Sequence, residues 1–186
     1  PQANINIHDA RDYCNTRSNL NGFDELYSGS IYSDNLVGFR LPTEVEWYVA
    51  AAVLYNWNTL DIEQQFNYTI QVGEGIINCN YGNIISCFNE STEVGFYNGE
   101  NSTYYKSTSP NGLYDCNGNV KEWVEKGNYP HTDYDRSVVM SGDYQSSESN
   151  AANHFFNYEE SSFAHPTIGF RTIIPADMFL NEIHND

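Results

Sequence analysis

Redox and metal chemistry in proteins starts from thiols and imidazoles, and this chain places few of either where they could cooperate. Its four cysteines, Cys14, Cys79, Cys87 and Cys116, show no Cys-x-x-Cys spacing and no close histidine partner, which argues against a zinc site. Cys79 and Cys87 could close a short disulfide loop, and burial as free thiols is the competing reading. His8, His131, His154, His165 and His184 are dispersed, and only His154 and His165 share a segment. General-base or metal roles need partners that this spacing does not supply. Gly99 and Gly112 belong to no phosphate-cradling pattern, so nucleotide binding has no support. Asn67-Tyr-Thr, Asn89-Glu-Ser and Asn101-Ser-Thr fit the glycosylation pattern, as chance provides in a chain this rich in asparagine.

Recognition chemistry is better supplied. From Gly142 to Arg171 the sequence runs GDYQSSESNAANHFFNYEESSFAHPTIGFR, and neither a helical stripe nor a strand alternation fits it. Tyr144, Phe155, Phe156, Tyr158 and Phe163 offer large contact area at low conformational cost, while Ser146, Ser147, Ser149, Asn150, Asn153 and Asn157 adapt their hydrogen bonds. With His154 and His165 these form the candidate ligand-binding set, close in composition to an antibody paratope. The competing reading folds the aromatic side chains inward as core. Ser137 to Met140 and Thr167 to Ile174 read as strands on either side, so the run is pinned at both ends, as recognition loops on a rigid scaffold are.

The elements that must hold this run are legible in part. A length of 186 residues with 40% hydrophobic and 15% aromatic content suits one domain with one sizeable core. Against 25 acidic residues stand 8 basic ones, a net charge of -17, which opposes nucleic acid and anionic membrane surfaces as partners. No stretch approaches the roughly 18 to 20 apolar residues of a membrane helix, so direct membrane insertion is not expected. The chain begins at Pro1, and removal of a leading segment is compatible with that start.

A first helix places Ala10, Tyr13 and Cys14 on one face, with the Arg17 stem beside them, Asn6 as cap and Asp9 at the positive end, and stops by Asn21-Gly22. A second opens on the capping box Thr43-Glu44-Val45-Glu46, buries Val45, Tyr48, Val49 and Ala52, and runs to about Tyr55. Leu20 to Gly38 reads as a polar connection between them. Thr69 to Val72 and Val94 to Tyr97 read as small strands among loops, and Asn117-Gly118 as a hairpin turn joining Leu113-Tyr114 to Val120–Val124. The domain spans residues 1–174, and residues 175–186 read as a polar tail.

The landmarks Asp9-Ala-Arg-Asp-Tyr13-Cys-Asn15, Phe39-Arg-Leu-Pro-Thr-Glu-Val-Glu-Trp47, Asn111-Gly-Leu-Tyr-Asp115, Gly118-Asn-Val-Lys-Glu-Trp123, Ser141-Gly142 and Gly169-Phe-Arg171 follow one another as in the formylglycine-generating, sulfatase-modifying enzymes. The chain resembles that family over most of its length. The resemblance implies an α+β, C-type-lectin-like fold of the sulfatase-modifying type, two helices with short antiparallel strands and long loops. It also implies that the family's first strands lie before Pro1 or are missing. Trp47 and Trp123 read as core, and Arg40, Glu46, Glu122 and Arg171 as paired buried charges. Some relatives bind calcium at the turn corresponding to Gly118–Trp123, which carries over to Asn119 and Glu122; no other cofactor is expected.

Catalysis is where the pattern departs. The family's enzymes oxidise a peptide cysteine with a cysteine pair in the region that here is Gly142 to Arg171, and this chain has no cysteine after Cys116. A thiolate supplies both the metal ligand and the redox chemistry, and Ser, His or Tyr cannot replace a pair of them. The family's Arg-Gly-Gly-Ser-Trp is also altered, to Met140-Ser-Gly-Asp-Tyr144. No enzyme activity is expected. The scaffold also resembles the variable proteins of diversity-generating retroelements, in which adenine-directed mutagenesis rewrites the segment corresponding to Tyr144–Thr167. Such rewriting of asparagine codons yields chiefly Asn, Tyr, Ser, Asp, His and Phe. The resemblance implies a non-catalytic binding protein for a macromolecular receptor, a protein or surface glycan, at a virion or cell surface rather than in the cytoplasm. The alternatives are a divergent formylglycine-generating enzyme and a calcium-dependent carbohydrate binder.

Overall fold

The computed structural model describes residues 2–29, 31–33, 36–52, 77–100, 103–104, 106–109, 111–126, 136–152 and 155–175. Helix α1 (Ile7–Leu20) starts at a reciprocal cap: the Asn6 side chain accepts from Asp9 N at 3.0 Å, and the Asp9 carboxylate accepts from Asn6 N at 3.4 Å. Two otherwise orphaned amides are satisfied at once. Its buried face is Ile7, Ala10, Cys14 and Ser18. Tyr13, expected on that face, is half exposed and meets the Phe170 ring edge-on at 5.2 Å. The Arg17 guanidinium lies over the Phe39 ring at 4.1 Å.

The connection that follows is not structureless, because β1 (Tyr27–Ser28) and β2 (Ile31–Tyr32) form a small antiparallel ribbon within it. Helix α2 (Glu44–Ala52) has the expected capping box: Thr43 N donates to Glu46 Oε2 at 2.8 Å and Glu46 N to Thr43 Oγ1 at 3.3 Å. Its expected buried stripe is wrong. Val45 and Val49 are 40% and 41% exposed, whereas Trp47 and Ala51 are buried. The helix turns so as to bury its largest apolar body, whose ring N–H finds a carboxylate acceptor inside. The expected continuation to Tyr55 lies outside the described residues, as do the strand at Thr69–Val72 and the tail 176–186.

The main sheet is built from β3 (Lys121–Val124), β4 (Arg136–Met140), β5 (Phe156–Glu160) and β6 (Ile168–Phe170), in the order β5-β4-β3-β6. Strand β4 is antiparallel to both neighbours, and β6 runs parallel to β3. Opposed pairs include Trp123 with Val139, and Val124 with Val138. Residues Val138, Val139 and Met140 are all buried, which requires cover on both faces of the sheet. On one face Trp123 and Val139 pack with Ile7, Ala10 and Cys14 of α1 and with Leu26, Tyr27, Leu41 and Ile168. On the other, Val124, Val138 and Met140 pack with Trp47 and Ala51 of α2 and with Cys116.

Two further expectations fail. Asn117-Gly118 does not close a hairpin: Tyr114 bridges Thr108, Gly118 bridges Asn83, and β3 takes its partners from β4 and β6. Positive φ is needed nearby all the same, 72° at Gly118 and 64° at Asn119. A Cβ on Gly118 would collide with the Asn83 carbonyl oxygen, so this turn serves close backbone approach. Val94 to Tyr97 is a turn rather than a strand. Strand β6 is shorter than read, although Ile173 beyond it bridges Arg40.

Candidate recognition surface

The run after β4 begins with a buried base. Ser141 adopts φ 66° and donates its amide to Phe155 O at 2.7 Å, while its hydroxyl lies 2.9 Å from Cys116 O and 3.3 Å from Ala151 O. Gly142 abuts Asn150 and Ala151, where an added Cβ would come 2.5 Å from the Ala151 Cα. Asp143 is 3% exposed; it pairs with Lys121 Nζ at 2.9 Å and accepts from Gln145 N and the Ser146 hydroxyl. Burial by itself would raise the Asp143 pKa, but the Lys121 bond and these donors outweigh it and hold the carboxyl below its ordinary range.

Around this base the main chain is tied down from two sides. Tyr144 N donates to Asn119 O at 3.0 Å, Gly118 N to Ala151 O at 3.1 Å, and Ile85 N to Ser146 O at 3.0 Å. Ala151 and Ala152 are buried with Ile77 and Ile84. Tyr144 therefore does not belong to a display surface: it is 7% exposed and part of the foundation. Ser146 is half-buried, with its hydroxyl engaged by Asp143.

Above the base the side chains face outward. Ser147, Ser149 and Asn150 are exposed on a turn in which the Asn150 and Ala151 amides both donate to Ser147 O, at 3.0 and 2.9 Å. The segment then becomes β5, so the reading of it as patternless throughout is corrected. Phe155 is half-buried, Phe156 is 49% exposed and Asn157 is exposed. Opposed residues of an antiparallel pair share a face, so Phe156 and Tyr158 extend the row of Met140 and Val138 outward on the α2 side. Tyr158 is partly buried against that core, its ring edge-on to Phe156 at 5.8 Å.

Because β5 and β6 occupy opposite ends of the strand order, residues 161–167 carry the chain across the sheet. Ser161 meets Ser137 there, hydroxyl to hydroxyl at 2.8 Å. Phe163 is 40% exposed and stacks on the His165 ring at 5.7 Å with 9° between planes. The His165 Nδ1 lies 2.8 Å from the Thr167 hydroxyl, and His165 O accepts from Asn4 N at 3.1 Å and Ile168 N at 2.9 Å. The exposed members of the candidate set thus fall on two stretches, the Ser147–Asn150 turn with the start of β5, and the crossing at Phe163, with half-buried His165 stacked beside it. Asn153 and His154 lie outside the described residues.

The framework charges pair as read from the sequence, although the Glu46 side chain is 41% exposed rather than buried. Glu122 accepts from Trp47 Nε1 at 2.6 Å and from Arg171 Nη2 at 2.6 Å, and Arg40 meets Glu46 at 2.6 Å. Burial opposes the Arg171 charge, yet the Glu122 carboxylate outweighs it and the Arg171 pKa is raised. Trp123 is core too, its ring N–H on Ile5 O at 3.0 Å. Not foreseen was the bidentate pair of Arg11 with Glu125, at 2.8 and 2.6 Å; no local motif links residues so distant in sequence.

Asn119 and Glu122, the carried-over calcium positions, are engaged in separate networks. Asn119 Oδ1 accepts from Thr92 N at 2.9 Å, and the Glu122 carboxylate serves Trp47 and Arg171. Among the described residues no group of three or more His, Cys, Asp or Glu side chains is placed to hold a metal.

All four cysteines are accounted for. Cys79 and Cys87 form a disulfide, Cα atoms 5.2 Å apart, which decides between the two readings of that pair. Cys14 and Cys116 are buried thiols, in the cores on opposite faces of the sheet. Burial pushes each pKa up to about 12.

Several solved structures share this fold. Treponema denticola variable protein 1 is similar with a TM-score of 0.66 and 21% identity, covering 94% of this chain and 71% of that one. The crystal structure of CarF matches with a TM-score of 0.72 and 22% identity over 95% of this chain and 68% of that one. PvdO from Pseudomonas aeruginosa matches at 0.65 and 16% identity over 92% of this chain, which spans only 60% of that one. Likeness at these identities is likeness of fold, the α+β, C-type-lectin-like arrangement described above. A search of curated proteins gives no match. Residues 1–176 match the sulfatase-modifying factor enzyme 1-like domain, and the chain belongs to that family.

Proposed function

We propose that this chain is a non-catalytic recognition protein, of the kind found as variable proteins of diversity-generating retroelements. It uses the surface of residues 147–150 and 155–165 to bind a macromolecular receptor, a protein or a surface glycan. One observation carries the reading: exposed Ser147, Ser149, Asn150, Phe156, Asn157 and Phe163 stand on a base fixed by main-chain hydrogen bonds and small buried residues. Rigid aromatic contacts interspersed with adaptable polar ones are what a broad protein interface uses. Resemblance of fold to a variable protein supports the same reading.

The thiols speak against the family's oxidative chemistry. Both unpaired cysteines are enclosed in core with pKa values raised to about 12, whereas a nucleophilic or metal-binding thiolate needs a lowered pKa and access. The disulfide fits a virion or cell surface, since such bonds persist in oxidising surroundings.

Sequencing the adjacent DNA tests the proposal. The expected finding is a near-copy of the Gly142–Arg171 coding segment, differing at adenines and lying beside a reverse transcriptase gene. An unrepeated segment, together with conversion of a cysteine peptide to formylglycine by the purified protein with copper and oxygen, would overturn it in favour of a divergent enzyme.

A further inference from the structure

We propose that the Cys79–Cys87 disulfide is a redox-sensitive clamp on the candidate binding segment, so that its reduction loosens residues 144–152 while the sheet stays intact. The functional consequence rests on the reading of that segment as a binding surface; the coupling itself does not. Residues 77–100 contain no helix or strand, so no ladder of backbone hydrogen bonds fixes the loop that the disulfide closes. That loop is nonetheless the seat of the segment. Ile85 N donates to Ser146 O, Asn83 O accepts from Asn119 N at 2.7 Å, and Gly118 N in turn holds Ala151 O. Ile77 and Ile84 bury Ala151 and Ala152, with Cys87 packed against the same cluster. The contact is close along the backbone: a Cβ on Gly82 would come 3.1 Å from Asn117 O.

Both cysteines of the bond are partly exposed, so a reductant can reach it. A small dithiol would deliver two electrons and two protons: the S–S bond breaks, two thiols form, and the dithiol closes to its own disulfide. Cys14 and Cys116 are already thiols, which leaves the reagent one target. With the constraint gone, the loop regains the freedom that closure had removed.

Amide hydrogen exchange of the oxidised and dithiol-reduced protein reads this without any ligand. Reduction should speed exchange at Ile85, Gly118, Asn119, Tyr144, Asn150 and Ala151 by roughly tenfold to a hundredfold. Amides of Val138 and Val139 in β4 should be unchanged. The double variant Cys79→Ser/Cys87→Ser should reproduce the reduced pattern and no longer respond to dithiol. Unchanged exchange in the segment would show a bond that merely closes its own loop, and equal acceleration in segment and sheet would show global destabilisation. Either outcome overturns the clamp, and neither bears on the adjacent DNA, which tests the binding reading separately.

Discussion

Replacing Glu122 by Gln should damage this fold more than its single-atom change implies. The carboxylate is 7% exposed in its side chain and faces an Arg171 guanidinium that is 21% exposed. Glutamine keeps an oxygen for Trp47 Nε1, but its NH2 then faces Arg171 Nη2, donor against donor, so the loss falls on the charge and on that hydrogen bond. Removing one member of a buried ion pair typically costs about 3 to 5 kcal/mol, because the other is left unpaired. Residual exposure of Arg171 places this case at the lower end, about 3 kcal/mol. At roughly 2 to 4 °C per kcal/mol for a chain of this size, the melting temperature should fall by about 6 to 12 °C. Urea unfolding of the native protein, Glu122→Gln and the double variant Glu122→Met/Arg171→Met separates desolvation from packing. The double variant should be more stable than the single one, since no buried charge remains, but should stay about 1 to 2 kcal/mol below native because the Trp47 indole N–H loses its acceptor. A loss below about 1 kcal/mol in the single variant, or a double variant no more stable than the single one, would refute the argument.

Three further outcomes can be checked. Tyr144→Ala should cost about 3 kcal/mol or more in denaturant unfolding, as truncation of a buried aromatic ring does, whereas Phe156→Ser and Phe163→Ser should each stay within about 0.5 kcal/mol; the reverse ranking would invert the assignment of base and display. Trp47→Ala should cost about 3 to 5 kcal/mol, and an exposed-residue effect instead would contradict the packing of α2. The Glu46 carboxyl titrates near 2 in the fold, since Arg40 and Thr43 outweigh the upward pull of burial; its contribution is therefore complete above its ordinary value of 4.5 and is lost as pH falls toward about 2. Melting curves of native protein and Glu46→Gln should accordingly converge between those pH values, and a constant gap would show that the Arg40 pairing does not depress the Glu46 pKa.

Local signals were readable wherever a motif's purpose is local. The caps at Asn6–Asp9 and Thr43–Glu46 are satisfied within one turn of chain, and the run Ser137 to Met140 reads as the strand it is. On α2 Trp47 was read correctly as core, but the Val45 and Val49 stripe was not the buried face, because Trp47 is held inside by a hydrogen bond to Glu122 from a distant part of the chain, which amphipathic periodicity cannot encode. Strand β5 escaped notice for a related reason: it is held by its backbone register with β4, and at the sheet's edge Phe156 and Asn157 are both exposed, so no alternation marks it. Tyr144 shows the limit of composition. It looks like its paratope-like neighbours, and only its burial in the folded chain, at 7% exposure, reveals it as foundation.

The way β5 is held has an evolutionary consequence. Hydrogen bonds between main chains are indifferent to the identity of the residues that carry them, so substitutions at Phe156 or Asn157 leave the ladder to β4 standing. Gly142, Asp143, Ala151 and Ala152 have no such latitude, since each fills a space or meets a charge that admits little else. Any process that rewrote this stretch codon by codon would therefore see its output filtered by folding before selection for binding began. The usable repertoire would be smaller than the codon count implies, and its forbidden positions are those of the buried base.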